Sequence, residues 1–277
     1  NGCTGSNDAD IVEPTALTLS FTPTPALCNG GNGSSIASGV GGTSPYTYEW
    51  KNGTTVVSIL ANSGSLPAGS YTCEVTDDNG CTFTTTTSIS APSAISISFS
   101  TTSALCNGGN GSSTATPTGG TPFGSAPFYN FVWTDGSSTI STSESITNRP
   151  QGNYICTVTD ANGCTFSAST TITEPTPLVV GSITTSSNTC NGTCNGSASV
   201  TPTGGTSPYT YVWNTNSSAN TATISPVFSG TYSVLVSDNN GCTGSSSGAV
   251  TSTVTNCSAT GILHLCNGET SSFVNSY

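Results

Sequence analysis

Residues 69–82 read GSYTCEVTDDNGCT, and this stretch decides the fold. Its apolar and polar side chains alternate with a period of two, which predicts a half-buried β-strand. The strand leads into Asn79-Gly80, a strong hairpin signal because both residue types tolerate positive φ. The same pattern returns at residues 152–165 and 230–243. The chain is therefore predicted to be an array of small all-β units.

Two cysteine motifs define the repeat. Cys-Asn-Gly opens each unit and Asn-Gly-Cys-Thr closes it, so the chain contains three whole units, the tail of one before them and the head of one after. Proline at 14, 92 and 175 marks the boundaries, because proline halts ladder pairing. The predicted parts are an orphan last strand at 1–13, repeats at 14–91, 92–174 and 175–255, and an incomplete repeat at 256–277.

The remaining strands point to one sandwich architecture. All three tryptophans, Trp50, Trp133 and Trp213, end an aromatic strand, and a tyrosine stands two residues before Cys73 and Cys156. Short strands separated by frequent turns, with this placement of Trp and Tyr, predict tandem immunoglobulin-like β-sandwich domains with incomplete terminal strands. The second strand carries Ala37, Ala115 and Val200 where antibody domains place a cysteine, so we expect no inter-sheet disulfide.

The ordered motifs resemble a known family. In chain order the motifs are Cys-Asn-Gly, Asn-Gly-Ser, Gly-Gly-Thr, Pro-Tyr-x-Tyr-x-Trp, Gly-x-Tyr, Val-x-Asp and Asn-Gly-Cys-Thr. Together they resemble the SprB repeat of Bacteroidetes surface proteins, and more loosely the polycystic-kidney-disease-type domains. The resemblance covers nearly the whole chain. It implies secretion through the type IX system and display as a long adhesin or surface filament. The chain departs from the pattern by an insertion at residues 123–126 and by the absence of a sorting domain.

Composition narrows the function. The chain has 2 Lys+Arg against 13 Asp+Glu, a net charge of −11. This composition excludes nucleic acid as a partner, because binding to phosphates needs cationic side chains. No apolar run approaches the length of a membrane span. Twelve cysteines at repeating positions indicate an oxidising, extracellular or cell-surface location. The only histidine, His264, has no catalytic partners in the sequence, so we expect neither an enzyme nor a cofactor.

The cysteines suggest two kinds of bridge. Pairing within each repeat predicts Cys28–Cys81, Cys106–Cys164 and Cys190–Cys242. This scheme leaves Cys3 and Cys266, for which we hypothesise a disulfide between successive subunits. The alternatives are local pairing, for example with Cys257, or free thiols, because connectivity does not follow from sequence. Cys73 and Cys156 are interpreted as small buried hydrophobes.

The terminal segments suggest how copies assemble. Residues 1–13, with Ile11 and Val12, form a last strand whose ladder groups need a partner. Residues 262–277 form the opening strands of an incomplete domain. Strand donation between subunits would satisfy both ends, which predicts a homopolymeric extracellular filament or adhesive fibre. The alternatives are a segment cut from a longer array and a monomeric adhesin that binds polysaccharide through Tyr46, Tyr48, Tyr209 and Tyr211.

Two further sets of residues are candidates for ligands. Asp77, Asp160 and Asp238 each open an Asn-Gly turn and are weak calcium candidates, but one carboxylate per turn is too few. An Asx-type turn is the favoured role, and no metal is expected. A surface this poor in charge favours attached glycans. The sequons begin at Asn32, Asn52, Asn110, Asn191, Asn195, Asn216 and Asn256.

Overall fold

The computed structural model describes residues 13–187, 195–215 and 219–251, and the backbone of two short strands, Leu263–His264 and Thr270–Ser271. The described residues form strands and turns and include no helix able to cross a bilayer. They build three consecutive sandwiches, each with its own apolar core. The all-β, immunoglobulin-like fold predicted from the sequence is confirmed.

Domain 1 is formed by the first seven strands. One sheet has the order β1-β2-β5 and the other the order β4-β3-β6-β7. The register is antiparallel throughout, with Thr18 opposite Val40 and Gly69 opposite Ile89. The strands are β1 (Thr18–Thr24), β2 (Asn32–Val40), β3 (Thr47–Asn52), β4 (Thr55–Ser58), β5 (Leu66–Pro67), β6 (Gly69–Thr76) and β7 (Thr82–Ile89).

Domain 2 repeats this arrangement strand for strand. Its sheets have the orders β8-β9-β12 and β11-β10-β13-β14. The inserted residues 123–126 lie between β9 and β10, outside both sheets. The strands are β8 (Ser96–Thr102), β9 (Gly111–Thr118), β10 (Asn130–Thr134), β11 (Thr139–Ser141), β12 (Ser145–Arg149), β13 (Gly152–Thr159) and β14 (Thr165–Ile172).

Domain 3 keeps the same layers with interrupted strands. Its sheets are β15-β18, β16-β17-β20 and β19-β21-β22. After it, β23 (Leu263–His264) pairs with β24 (Thr270–Ser271). The strands of the domain are β15 (Val179–Val180), β16 (Thr184–Ser186), β17 (Gly196–Ser199), β18 (Pro202–Thr203), β19 (Thr210–Trp213), β20 (Thr223–Val227), β21 (Gly230–Ser237) and β22 (Thr243–Val250).

A tryptophan is at the centre of each core. Trp50, Trp133 and Trp213 are at most 1% exposed. Each indole Nε1 donates a 3.0 Å hydrogen bond to a backbone carbonyl, that of Leu60 in the first domain. The ring is thus buried without leaving its N–H unpaired, as burial of an indole requires. This explains why every repeat carries Trp at this position of the aromatic strand.

A second aromatic anchor is a tyrosine corner. The hydroxyls of Tyr71, Tyr154 and Tyr232 each donate to the backbone carbonyl four residues upstream, at 2.8, 2.9 and 2.9 Å. This contact pins the connection into β6, β13 or β21 to the strand itself, as in immunoglobulin-like domains. The sequence pattern Gly-x-Tyr therefore marks the corner in each repeat.

No inter-sheet disulfide crosses the cores of domains 1 and 2. Ala37 and Ala115 are buried on the second strands, while Cys73 and Cys156 are free thiols with no exposed surface. Burial raises the pKa of both thiols to about 11. The prediction that these cysteines pack as small hydrophobes is confirmed.

The aspartate that opens each Asn-Gly turn is a structural hub. Asp77 Oδ1 accepts backbone hydrogen bonds from Asn79 at 3.0 Å and Cys81 at 2.8 Å, and its Oδ2 accepts one from Thr43 at 2.9 Å. One carboxylate thus joins the β6–β7 turn to the Gly-Gly-Thr loop. The same three bonds recur at two other aspartates, Asp160 and Asp238.

The surroundings of the hub explain the glycines. Gly42 has φ of 59°, and a Cβ there would lie 2.6 Å from Asp77 Oδ2, so only glycine fits. In the turn itself only Gly80 takes positive φ. Asn79 does not, and the hairpin has a longer loop closed by a bond from Gly80 N to Asp77 O at 3.0 Å.

These aspartates fill the Asx-turn role favoured from the sequence. The groups around them are backbone N–H donors, which repel a cation, and the described residues contain no cluster of His, Cys, Asp or Glu suited to a metal. The hydrogen bond from Thr43 is the main cause that lowers the pKa of Asp77. At Asp238 burial opposes ionisation, but the backbone donors of Thr206, Cys242 and Asn240 outweigh it and lower the pKa.

We expect Asp77→Asn to lower the melting temperature of domain 1 by several degrees at pH 7, because the amide NH2 would face the Thr43 N–H, donor against donor. A depressed folded-state pKa contributes stability that is fully present above the unfolded value, near 4, and is lost as the pH falls through the folded value. The variant should therefore lose less stability than the wild type between pH 5 and pH 2. Calorimetry across this range measures both effects.

Asp78→Asn is the matched control, because this neighbouring carboxylate is exposed. It should leave the melting temperature and its acid dependence close to those of the wild type. Equal effects of the two substitutions would contradict the hub role of Asp77.

Candidate functional site at the domain junctions

Two disulfides connect neighbouring domains. Cys28 in the β1–β2 loop of domain 1 bonds to Cys164 in the β13–β14 turn of domain 2, and Cys106 of domain 2 bonds to Cys242 of domain 3. Both bridges span 136 residues, and both have a Cα–Cα distance of 5.7 Å. Cys-Asn-Gly of one repeat is therefore bonded to Asn-Gly-Cys of the next.

The predicted pairings within repeats, Cys28–Cys81 and Cys106–Cys164, are wrong. In domain 1 the β1–β2 loop lies at the end of the sandwich where β7 finishes, since Ala26 N donates to Ser90 O at 2.8 Å. The β6–β7 turn with Cys81 lies at the opposite end, one eight-residue strand away, or roughly 26 Å. A disulfide requires Cα atoms within about 7 Å, so the two motifs of one repeat cannot meet.

Hydrogen bonds accompany each disulfide. At the first junction Asn162 Nδ2 donates to the carbonyl of Leu27 at 2.8 Å, and at the second Asn240 Nδ2 donates to the carbonyl of Leu105 at 2.9 Å. The same amides also contact Thr121 and Thr206 of their own Gly-Gly-Thr loops, at 3.1 and 3.0 Å. The asparagine therefore holds the neighbouring loop and its own loop together.

A glutamate holds the Cys-Asn-Gly loop of domain 2 that takes part in the second junction. Glu174, just before the boundary proline, accepts from Asn107 Nδ2 at 2.8 Å, from Gly108 N at 2.7 Å and from Gln151 Nε2 at 2.7 Å. Asn107 also donates to the carbonyl of Pro175 at 3.2 Å. At the first junction the equivalent Asn29 donates to the carbonyl of Pro92 at 3.1 Å. The asparagine of Cys-Asn-Gly thus ties the loop to the linker.

The sequence contained a signal for these contacts that residue-by-residue reasoning missed. In an immunoglobulin-like sandwich the first loop and the last turn lie at opposite ends, so in a tandem array they face adjacent domains. The roles of Asn162, Asn240 and Glu174 follow from that geometry. Each of the three lies next to a junction cysteine or a boundary proline.

The other candidate cysteines have different outcomes. Cys81 is exposed and unpaired. Three cysteines and two apolar residues of the terminal segments lie outside the described residues: Cys3, Cys190, Cys266, Ile11 and Val12. The predicted pair Cys190–Cys242 is nevertheless wrong, because Cys242 is bonded to Cys106. The Cys3–Cys266 bridge stays a prediction.

The tyrosines considered for polysaccharide binding serve internal roles. The hydroxyls of Tyr46 and Tyr209 donate to the carbonyls of Gly41 and Gly204, both at 2.6 Å. Tyr48 accepts from Gly39 N at 3.2 Å, and Tyr48, Tyr209 and Tyr211 pack against the cores. Their rings are therefore committed to the fold.

The sequons fall on exposed positions where they are described. Asn32, Asn52, Asn110 and Asn195 are all exposed. Asn32 and Asn110 stand at equivalent places at the second strand, where their amides donate to Ser65 and Asn148. Asn191, Asn216 and Asn256 lie outside the described residues, and glycosylation stays a prediction.

One family model matches two stretches of the chain. The family model of the SprB repeat matches residues 20–55 and 182–218. No curated protein sequence matches the chain. SprB repeats are cell-surface modules, and the two disulfides fit an extracellular location.

Solved structures similar to this chain are tandem domain arrays. Three domains of the bacteriophage RB49 highly immunogenic outer capsid protein align at a TM-score of 0.46 and 15% identity, covering 85% of this chain and 97% of that one. Immunoglobulin domains 1–5 of Sidekick-1 align at 0.39 and 12%, covering 87% and 60%. Three domains of titin align at 0.34 and 14%, covering 83% and 97%.

SprB repeats and immunoglobulin-like domains are structural folds rather than enzyme folds. Two stretches of this tandem array of immunoglobulin-like sandwiches thus match the SprB repeat.

Proposed function

We propose that the chain is a structural subunit of an extracellular bacterial filament or adhesive surface fibre, with copies of itself as partners. The observation that carries this proposal is the staggered pair of disulfides, each of which crosses a domain junction. A module that only displays a binding site has no need for covalent bonds between neighbours. A fibre under load does.

The two disulfides overlap along the chain, and this overlap limits extension. Under tension the shortest covalent path runs from Cys28 across to Cys164, back along the chain to Cys106, and across to Cys242. Unfolding of domain 1 or domain 3 then releases little length, because most of each lies in a closed loop outside this path, whereas residues 106–164 of domain 2 lie on it. Bridges within single domains would leave every linker as an unprotected single strand.

The proposed polymer forms head to tail by strand complementation. Support comes from β23 and β24, which pair Leu263 with Ser271. If Cys266 is aligned with Cys28, this pair continues the β1–β2 register by one step beyond Thr24–Ser34. The strands β23 and β24 thus have the register of a first hairpin. Residues 1–13 of another copy would supply the last strand.

A matched pair of substitutions tests this assembly. Ile11 aligns with Ile89, Ile172 and Val250, which are at most 2% exposed at the end of each last strand. Loss of such a buried side chain costs about 2–5 kcal/mol, and each 1.4 kcal/mol is tenfold. Ile11→Asp should raise the concentration needed for polymerisation by on the order of a hundredfold, as measured by sedimentation and electron microscopy.

Val12→Asp is the control, because the aligned Thr173 is exposed. It should polymerise nearly as well as the wild type. A wild-type chain that stays monomeric at every concentration, or equal behaviour of the two variants, would contradict strand complementation. The monomeric adhesin would then be the better proposal.

Single-molecule stretching tests the load-bearing role. With handles at residues 16 and 251, reduction should lengthen the fully extended chain by about 150 residues, or roughly 500 Å at about 3.4 Å per residue. This is the length of the two segments excluded from the covalent path, 28–106 and 164–242. Independent bridges inside domains 1 and 2 would instead release about 110 residues, roughly 380 Å, and such a value would contradict the staggered path.

A further inference from the structure

Domain 1 presents the same docking turn that domains 2 and 3 use at their junctions. Asn79 and Cys81 correspond to Asn162 and Cys164, and Asp77 holds them with the same three hydrogen bonds. Asn79 Nδ2 also donates to the Gly-Gly-Thr loop, to Thr43 Oγ1 at 2.8 Å. Within the described residues Asn79 has no carbonyl partner from a neighbouring domain, and Cys81 is exposed and free. The turn therefore has the same asparagine and cysteine that the other two turns use to hold a neighbouring domain.

The two occupied junctions define the ligand chemically. In both, the docked loop has the sequence Leu-Cys-Asn-Gly, at residues 27–30 and 105–108. The leucine supplies the carbonyl for the asparagine and the cysteine supplies the disulfide. The same tetrapeptide occurs a third time, at residues 265–268, whereas Cys190 follows Thr189. The third copy lies between β23 and β24, as the other two lie between first and second strands.

We propose that the turn at Asn79–Cys81 of one copy receives Leu265-Cys266 of a second copy and forms the disulfide Cys81–Cys266. In both observed junctions Cys-Asn-Gly bonds to the next repeat, never to its own. In the head-to-tail polymer the incomplete repeat is followed by domain 1 of the next copy, so Cys81 is its partner. This assignment is an alternative to the Cys3–Cys266 disulfide and rests on the proposed function.

The bond requires an oxidant. The thiols of Cys81 and Cys266 together lose two protons and two electrons, and a small-molecule disulfide accepts them. In the test this oxidant is oxidised glutathione, which exchanges first with one thiolate and is released as two molecules of glutathione when the second thiolate attacks. The result is a covalent bond across every subunit junction.

Non-reducing electrophoresis and peptide mapping test the proposal on polymers of the full chain formed with oxidised glutathione. Wild type should give a ladder with steps of 27.6 kDa that collapses to monomer on reduction. A peptide in which Cys81 is joined to Cys266 should appear only in the ladder bands. Cys81→Ser should remove that peptide and leave Cys266 open to alkylation in the polymers.

Cys73→Val is the matched control, because Val234 occupies the equivalent core position in domain 3. It should keep the full ladder. The proposal is overturned if Cys81 in polymers is alkylated as a free thiol, is joined to Cys3, Cys190 or Cys257, or is joined to Cys266 within one chain. If electron microscopy shows polymers in which Cys81 is free, only the proposed Cys81–Cys266 disulfide is overturned. If no polymers form in either oxidising or reducing buffer, the proposed function is overturned as well.

Discussion

The carboxylate at the start of each Asn-Gly turn is the interaction on which the array depends. Its three backbone hydrogen bonds fix the turn against the Gly-Gly-Thr loop, and they set the places of the asparagine and the cysteine that follow. Asn162 and Cys164 can then meet the loop of the preceding domain, through one hydrogen bond and one disulfide. A hydrogen-bonded buried aspartate, at 1% exposure for Asp160, therefore controls a contact between domains that it does not itself touch.

The junctions show how a repeat protein obtains continuity from identical parts. Each domain carries a loop at one end and a receiving turn at the other, so each interface is heterologous and propagates along one direction. The linker is short, and Asn29 or Asn107 ties it to the loop. Since every unit bonds to the next unit, the covalent path skips the linkers. The same contact can therefore be repeated for any number of domains.

The sequence was sufficient for the fold but not for the cysteine pairs. Strands and hairpins are determined by local patterns. Here these patterns are the alternation of apolar and polar residues around Tyr71, the tryptophan at the same position of every repeat (Trp50 in the first), and the Asn-Gly turn. Pairing of Cys28 is not local, because in a periodic chain every Asn-Gly-Cys is an equivalent partner by sequence. What distinguishes Cys164 from Cys81 is that the Cys81 turn lies at the opposite end of domain 1 from the Cys28 loop. This placement is a property of the folded sandwich.

Burial explains why Cys73 and Cys156 form no disulfide. Thiol–disulfide exchange requires a thiolate, and a pKa raised to about 11 leaves Cys73 and Cys156 protonated at neutral pH. Their sulfurs also have no exposed surface, so an attacking group cannot reach them without unfolding of the domain. The folded core thus protects the junction disulfides from internal exchange. Cys81, on an exposed turn, has no such barrier, which is the condition that a cysteine must meet if it is to bond to another chain.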